Sequence, residues 1–317
     1  MFFFITSFLI VFSICLIGIT NSSTLIVTNG SPVSYSSYSS LTFDWDGCLD
    51  YCVNDEMCMV IFNNGSDTTC QLFKIGDLQS VKRRYSSEVK VAFKLNKDNS
   101  STCPANDTLS GGGYVLGYND TLRRQSYHGY SITYDPENLM WNFNSTGVTM
   151  CASAGYKMSI RPKGPWCFYL FNTGAALTTQ EEAAYNCSVK WSGVLSGLDT
   201  PEEFQAVTVM AKNHGYDFSS AENAAWIDGI RKSECVGNTS CSGLSAFTFS
   251  DPTLSSEPTG FLWNSNQPDG TARDCLIFKI NSDKSYGIDD NLCTMRNSTI
   301  PKMRLSGYLC GEVPKVR

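Results

Sequence analysis

Three carboxylates and one side-chain amide fall in two short runs of this chain, Gln267-Pro268-Asp269 and, beyond Cys275, Ile288-Asp289-Asp290. Side chains that offer only oxygen to a metal suit a hard cation. Calcium takes about 6–8 oxygens, and Gln267, Asp269, Asp289 and Asp290 with the Asp290 carbonyl offer about five, so two ligand hydroxyls bring the count to about seven. Arg273 stands between the two runs. Opposite unit charges about 4 Å apart attract by about 4 kcal/mol at an effective dielectric of 20, so Arg273 paired with Asp269 or Asp289 would fill such a site without metal. Carboxylates also serve acid–base hydrolysis, but a glycosidase holds two of them across a sugar bond in a cleft, and neighbours such as Asp289 and Asp290 at a strand end point in different directions. His214, followed by Gly215-Tyr216, has no nucleophile motif around it and reads as a surface-loop residue, so no enzyme is expected.

The elements that would hold these residues announce themselves locally. Thr179 to Glu182 and Thr200-Pro201 to Glu203 read as capping boxes, the second with proline at the first helical position, where its missing N–H costs nothing. Phe204, Val207 and Ala211 then recur at helical spacing. Trp226 and Trp263 read as core residues. Cys235 and Cys241, close together among glycines and serines, fit a local bridge, while only two histidines and no Cys-x-x-Cys pair speak against zinc.

Residues from about 160 to 313 resemble the C-type lectin domain. The resemblance rests on Gln267-Pro268-Asp269, on Asp289-Asp290, on the stretch from Trp191 to Leu198 between the helices, and on Trp226-Ile227-Asp228-Gly229, similar to the family's Trp-Ile-Gly core strand. It implies a long-form fold of two helices, antiparallel sheets and a long loop region. It also implies a Ca²⁺ ion held by Gln267, Asp269, Asp289 and Asp290 and shared with two sugar hydroxyls. Arg273 stands where the family usually has a glutamate ligand, which leaves open a calcium-independent site that recognises protein instead. The Gln-Pro-Asp order is similar to galactose-binding members, although residues 270–274 lack the aromatic that often stacks on the sugar. By the same resemblance Cys187 bridges to Cys310, Cys275 to Cys293, and Cys151 to Cys167 in an amino-terminal hairpin.

Cysteines also organise residues 23–97. Cys48 and Cys52 share one face of a helix from about Phe43 to Val53, and Cys58 and Cys70 are their natural partners. Met59–Phe62 and Cys70–Phe73 flank an Asn-Gly turn and read as a hairpin. Val89, Val91, Phe93 and Leu95 alternate with Glu88, Lys90 and Lys94, the pattern of a half-buried strand. This helix and stapled hairpin look like a PAN or apple module in the reduced form of nematode secreted proteins. The resemblance implies nested Cys48–Cys70 and Cys52–Cys58 bridges and protein or glycan ligands, with no fixed binding residues. The whole is thus α+β, with a helix on an antiparallel sheet followed by the lectin-like domain at 161–313.

Residues 98–160 form an aromatic, partly ordered connecting region. Gly111-Gly112-Gly113 reads as flexible, and Tyr130, Trp141 and Phe143 are expected to bury against the lectin-like domain. Cys103 is left over and would pair between chains.

Residues 1–20 are almost wholly apolar and read as a secretory signal, placing the mature protein outside the cell; an uncleaved anchor is the alternative. Ten Asn-x-Ser/Thr sequons fit secretion and a glycoprotein. A net charge of −6 with 24 basic residues excludes nucleic acid as a natural partner and gives no basic surface for membranes. Expected partners are glycans, glycoproteins or extracellular proteins.

Overall fold

The computed structural model describes residues 15–17, 23–85, 88–96, 110–174, 177–214, 222–238, 240–269, 274–299 and 302–316. Most of segment 1–20, together with Cys103, Arg273 and the sequons at Asn21, Asn99 and Asn106, lies outside the described residues. The chain divides into one unit of residues up to 117 with 127–149, and a second of 118–126 with 150 onward.

In the first unit, helix α1 (Trp45–Asn54) begins where the Asp44 carboxylate accepts the Gly47 N–H at 2.8 Å, a side-chain cap that satisfies one orphan donor. Its buried face, Cys48, Leu49 and Cys52, packs on Leu25, Ile61, Leu72 and Ala92. Beneath it the sheet runs in the order Ser39–Leu41, Cys70–Lys74, Cys58–Asn63, Lys90–Asn96, Ser23–Tyr35 and Leu78–Arg83. The hairpin pairs Val60 with Phe73 and Ile61 with Leu72, and its turn is set by Asn63, whose side chain accepts the Gly65 N–H at 2.7 Å. Disulfides Cys48–Cys70 and Cys52–Cys58 tie α1 to both hairpin strands.

Two expectations change here. The strand Lys90–Asn96 is buried on both faces rather than one: Ala92 lies under α1, while Val91 and Phe93 enter the opposite core. Its Lys94 is buried because the ammonium serves the end of α1. The aromatic stretch of 98–160 contributes strands, and Tyr130, Ile132, Trp141 and Phe143 complete the core of the first unit, not the second. Phe93 meets Trp141 and Phe143 edge to face at 5.1 and 5.5 Å. The triple glycine lies in the strand Gly111–Asn119 rather than in a flexible segment, and a Cβ on Gly113 would collide with the Tyr130 ring and hydroxyl.

In the second unit, helices α2 (Gln180–Trp191) and α3 (Pro201–Asn213) begin at Thr179 and Thr200. Thr179 and Glu182 form the reciprocal box. At Thr200 only half of the box forms: the hydroxyl accepts the Glu203 N–H, but the Glu203 carboxylate turns inward to the Asp199 N–H and to Arg161, at 2.7 Å each. The sheet runs Lys157–Arg161, Gly164–Asn172, Lys302–Glu312, Glu222–Arg231, Cys275–Ile280 and Tyr286–Asn291. It is mixed rather than purely antiparallel, since Glu222–Arg231 lies parallel to Lys302–Glu312 with Trp226 beside Tyr308. Cys151–Cys167, Cys187–Cys310, Cys235–Cys241 and Cys275–Cys293 are bridged.

Candidate functional site

Two strands and one loop converge on the acidic residues. Tyr286–Asn291 pairs with Cys275–Ile280 so that Asp290 sits opposite Leu276 and Asp289 opposite Ile277. The strand Glu222–Arg231 flanks the other edge and shifts register between Trp226 and Ile230, where Gly229 takes φ +137° and a Cβ would press on Leu276 Cδ1 at 2.5 Å. That shift brings Arg231 alongside Asp274, to whose carbonyl its N–H donates at 2.6 Å. The loop is held by Trp263, which bridges to Ile288, and by the Asn264 N–H, which donates to the Ile288 carbonyl at 2.9 Å. Gln267-Pro268 is cis, and Asp269 follows it into solvent.

Asp269, Asp289 and Asp290 each bring one carboxylate oxygen to within 4.8 Å of the others. Gln267 is half-buried beside them, its side-chain oxygen turned back to accept the Asp269 N–H at 2.9 Å. The four residues thus gather, but their oxygens already have partners. Asp290 is fully buried; one oxygen meets Arg231 Nη2 at 2.7 Å and the other accepts the Asp269 N–H at 3.2 Å. Asp289 accepts the Asp290 N–H at 2.8 Å and faces Lys279 Nζ at 3.4 Å, and Lys279 also meets Glu222 at 3.1 Å. Burial raises the Asp290 carboxyl above its ordinary range, and the Arg231 guanidinium opposes that shift. Arg231 is itself packed over the Phe247 ring, 4.7 Å from its centroid.

Arg231 competes with a calcium ion for this donor set. Calcium on the Asp290 oxygens would stand beside a guanidinium that already neutralises them, and like charges at such range repel by several kcal/mol even at an effective dielectric of 20. The cation paired with Asp290 is Arg231, which sequence reasoning missed. A signal was available: Arg231 places a charge in a strand whose middle, Ala224 to Ile227, is apolar. Lys279, alone in Cys275–Ile280 as a charged residue, is the second such case. His214 is not a simple surface-loop residue either, for it closes α3 half-buried with its ring edge-on to Tyr169 at 5.2 Å.

Residues 25–95 match the family model of a PAN-like domain, and residues 161–313 match that of C-type lectin domain-containing protein 141/158. No curated protein matches the chain. Among solved structures, the chain is similar to human lithostathine in two determinations. The one at 1.3 Å resolution shows 19% identity over 49% of this chain and 86% of that one, and the other 17% over 49% and 95%; the TM-score is 0.33 in both.

Proposed function

For a chain that carries a PAN-like domain followed by a C-type lectin domain, we propose a role as an extracellular recognition protein whose lectin domain works without calcium. The observation that supports this is the buried Arg231–Asp290 ion pair at 2.7 Å, which supplies from within the chain the positive charge a metal would bring. Arg231 and Lys279 hold Asp289 and Asp290, Asp290 holds the Asp269 N–H, and the Gln267–Asp269 loop is thereby offered to a ligand. The six disulfides among the described residues suit an oxidising compartment, and no described helix is long and apolar enough to cross a membrane. Binding rather than catalysis is the proposed work, with glycoproteins or other extracellular proteins as partners.

One observation favours the second reading, a calcium-dependent sugar site at Gln267, Asp269, Asp289 and Asp290: three carboxylate oxygens already lie within 4.8 Å of one another. Thermal unfolding with calcium or chelator separates the two. An unchanged midpoint in millimolar calcium supports the metal-free reading, provided that Arg231→Met becomes calcium-responsive. A saturable rise in the wild-type chain sinks it.

A further inference from the structure

In the first unit a cleft of about 880 Å³ opens between the start of α1 and the tip of the stapled hairpin, within the ~300–1,000 Å³ of small-molecule sites. The start of α1 contributes Asp44, Trp45 and Asp46, and the hairpin turn contributes residues 63–67. One of these, Asn64, is the asparagine of the sequon Asn64-Gly65-Ser66, the acceptor pattern for an N-linked glycan. The cleft therefore has a point of covalent modification in its own lining.

The two asparagines of this turn are used differently. Asn63 is buried; its oxygen accepts the Gly65 N–H at 2.7 Å and its amide donates to the Ser66 carbonyl at 2.6 Å, so it holds the turn. Asn64 is exposed and makes no side-chain hydrogen bond among the described residues, so bulk added at its amide nitrogen breaks nothing in the fold. Other sequon amides are already engaged: Asn119 accepts the Leu122 N–H at 2.8 Å, and Asn238 donates to the Glu234 carbonyl while accepting from the Ser240 N–H. Beside Asn64, Trp45 is half-buried against the core beneath α1, and no other aromatic ring stacks on it among the described residues. Asp46 and Asp67 are exposed carboxylates, acceptors for the hydroxyl and acetamido N–H donors of an N-acetylglucosamine. A free sugar would bind weakly in so open a cleft, but one tethered at Asn64 meets it intramolecularly, at a high effective concentration.

We propose that Asn64 carries an N-linked glycan whose first N-acetylglucosamine lies in this cleft, its apolar face on Trp45 and its polar groups toward Asp46 and Asp67. In the transfer, the bond between Asn64 Nδ2 and the sugar C1 forms as the bond from C1 to the diphosphate of a lipid-linked oligosaccharide breaks; the diphosphate leaves with the electron pair, and the amide gives one proton to a base of the transferase. The proposal rests on the extracellular reading for its route through the secretory pathway, and is independent of what the lectin domain binds. The test is peptide mass spectrometry of the full chain secreted from eukaryotic cells, with occupancy read as conversion of Asn64 to aspartate on enzymatic deglycosylation and hydroxyl-radical oxidation reporting the exposure of Trp45. The expected result is an occupied Asn64, with Trp45 oxidised severalfold more in Asn64→Gln than in wild type, and with protection kept when the glycans are trimmed to a single N-acetylglucosamine. Deglycosylation of the folded wild-type chain makes the same comparison if Asn64→Gln is not secreted. An unmodified Asn64 on a chain with other sequons occupied overturns the proposal alone, whereas a chain with no sequon occupied overturns it together with the extracellular reading. An occupied Asn64 with equal Trp45 oxidation in both forms puts the glycan in solvent and overturns it too. So does protection lost on trimming, which would put the contact farther out along the glycan.

Discussion

The Lys94 ammonium donates to the Cys52 carbonyl at 3.0 Å, and to those of Val53 and Asp55 at the same distance, so a strand residue caps the C-terminal end of α1. Those carbonyls have no intrahelical donor, and α1 carries no basic residue in its last turn. Asp55 and Glu56 add electrostatic support, while burial pulls the Lys94 pKa down.

Replacing that cation exposes what it does. Lys94→Met keeps the apolar stem and removes the donor, and is expected to destabilise the chain by about 1.5–3 kcal/mol, the range for hydrogen bonds to a charged group. Urea unfolding checks it; a loss of a few tenths of a kcal/mol would mean that water takes the ammonium's place.

Removing Arg231 strands a buried charge. Arg231→Met is expected to lower stability by about 3–5 kcal/mol, because Asp290 is left fully buried without its partner. Asp290→Asn on that background is expected to recover a good part of the loss. If the double variant is instead less stable than Arg231→Met, the deficit comes from lost packing on Phe247 rather than from charge.

Asp228 sets a pH dependence. Its carboxylate accepts from the Ser250 N–H and hydroxyl and from the Asp251 N–H, yet burial pushes its pKa up from 3.8 to about 6. Between those values the folded chain holds a proton that the unfolded chain has released, so this group's contribution falls as pH rises, by roughly 3 kcal/mol across the window, and levels off above about 6. Unfolding free energies from pH 4 to 7 should therefore slope less in Asp228→Asn than in wild type. Parallel slopes would place the titration elsewhere.

The Cys187–Cys310 bridge closes a loop of 123 residues. In the chain-entropy view its removal as Cys187→Ala with Cys310→Ala costs about 5 kcal/mol, against about 3 kcal/mol for a loop of some fifteen residues such as Cys151–Cys167. Chemical unfolding of the two paired-alanine variants orders them; equal losses would put the stabilisation in native packing around the sulfurs.

What could be read from the residues follows from range. Thr179 and Thr200 act on amides three positions away, and their helices begin where those residues stand. Glu203 already escapes that logic: its box spacing is right, but Arg161, 42 positions away, takes the carboxylate. Tyr130, Trp141 and Phe143 were legible as too aromatic for a linker, whereas the core they join depends on sheet order, which no local pattern carries. The same holds for the acidic site. Gln267, Asp269, Asp289 and Asp290 are visible as oxygen donors, but the pairing of Arg231 with Asp290 spans 59 positions and follows from a register shift at Gly229.

A chain closed from Cys187 to Cys310 also behaves unusually toward proteases. One cut anywhere between those cysteines, the Gln267–Asp269 loop included, leaves both fragments on a single covalent molecule. Clipped and intact forms would migrate together until a reductant parts them. The Gln267–Asp269 loop can therefore be severed without being shed.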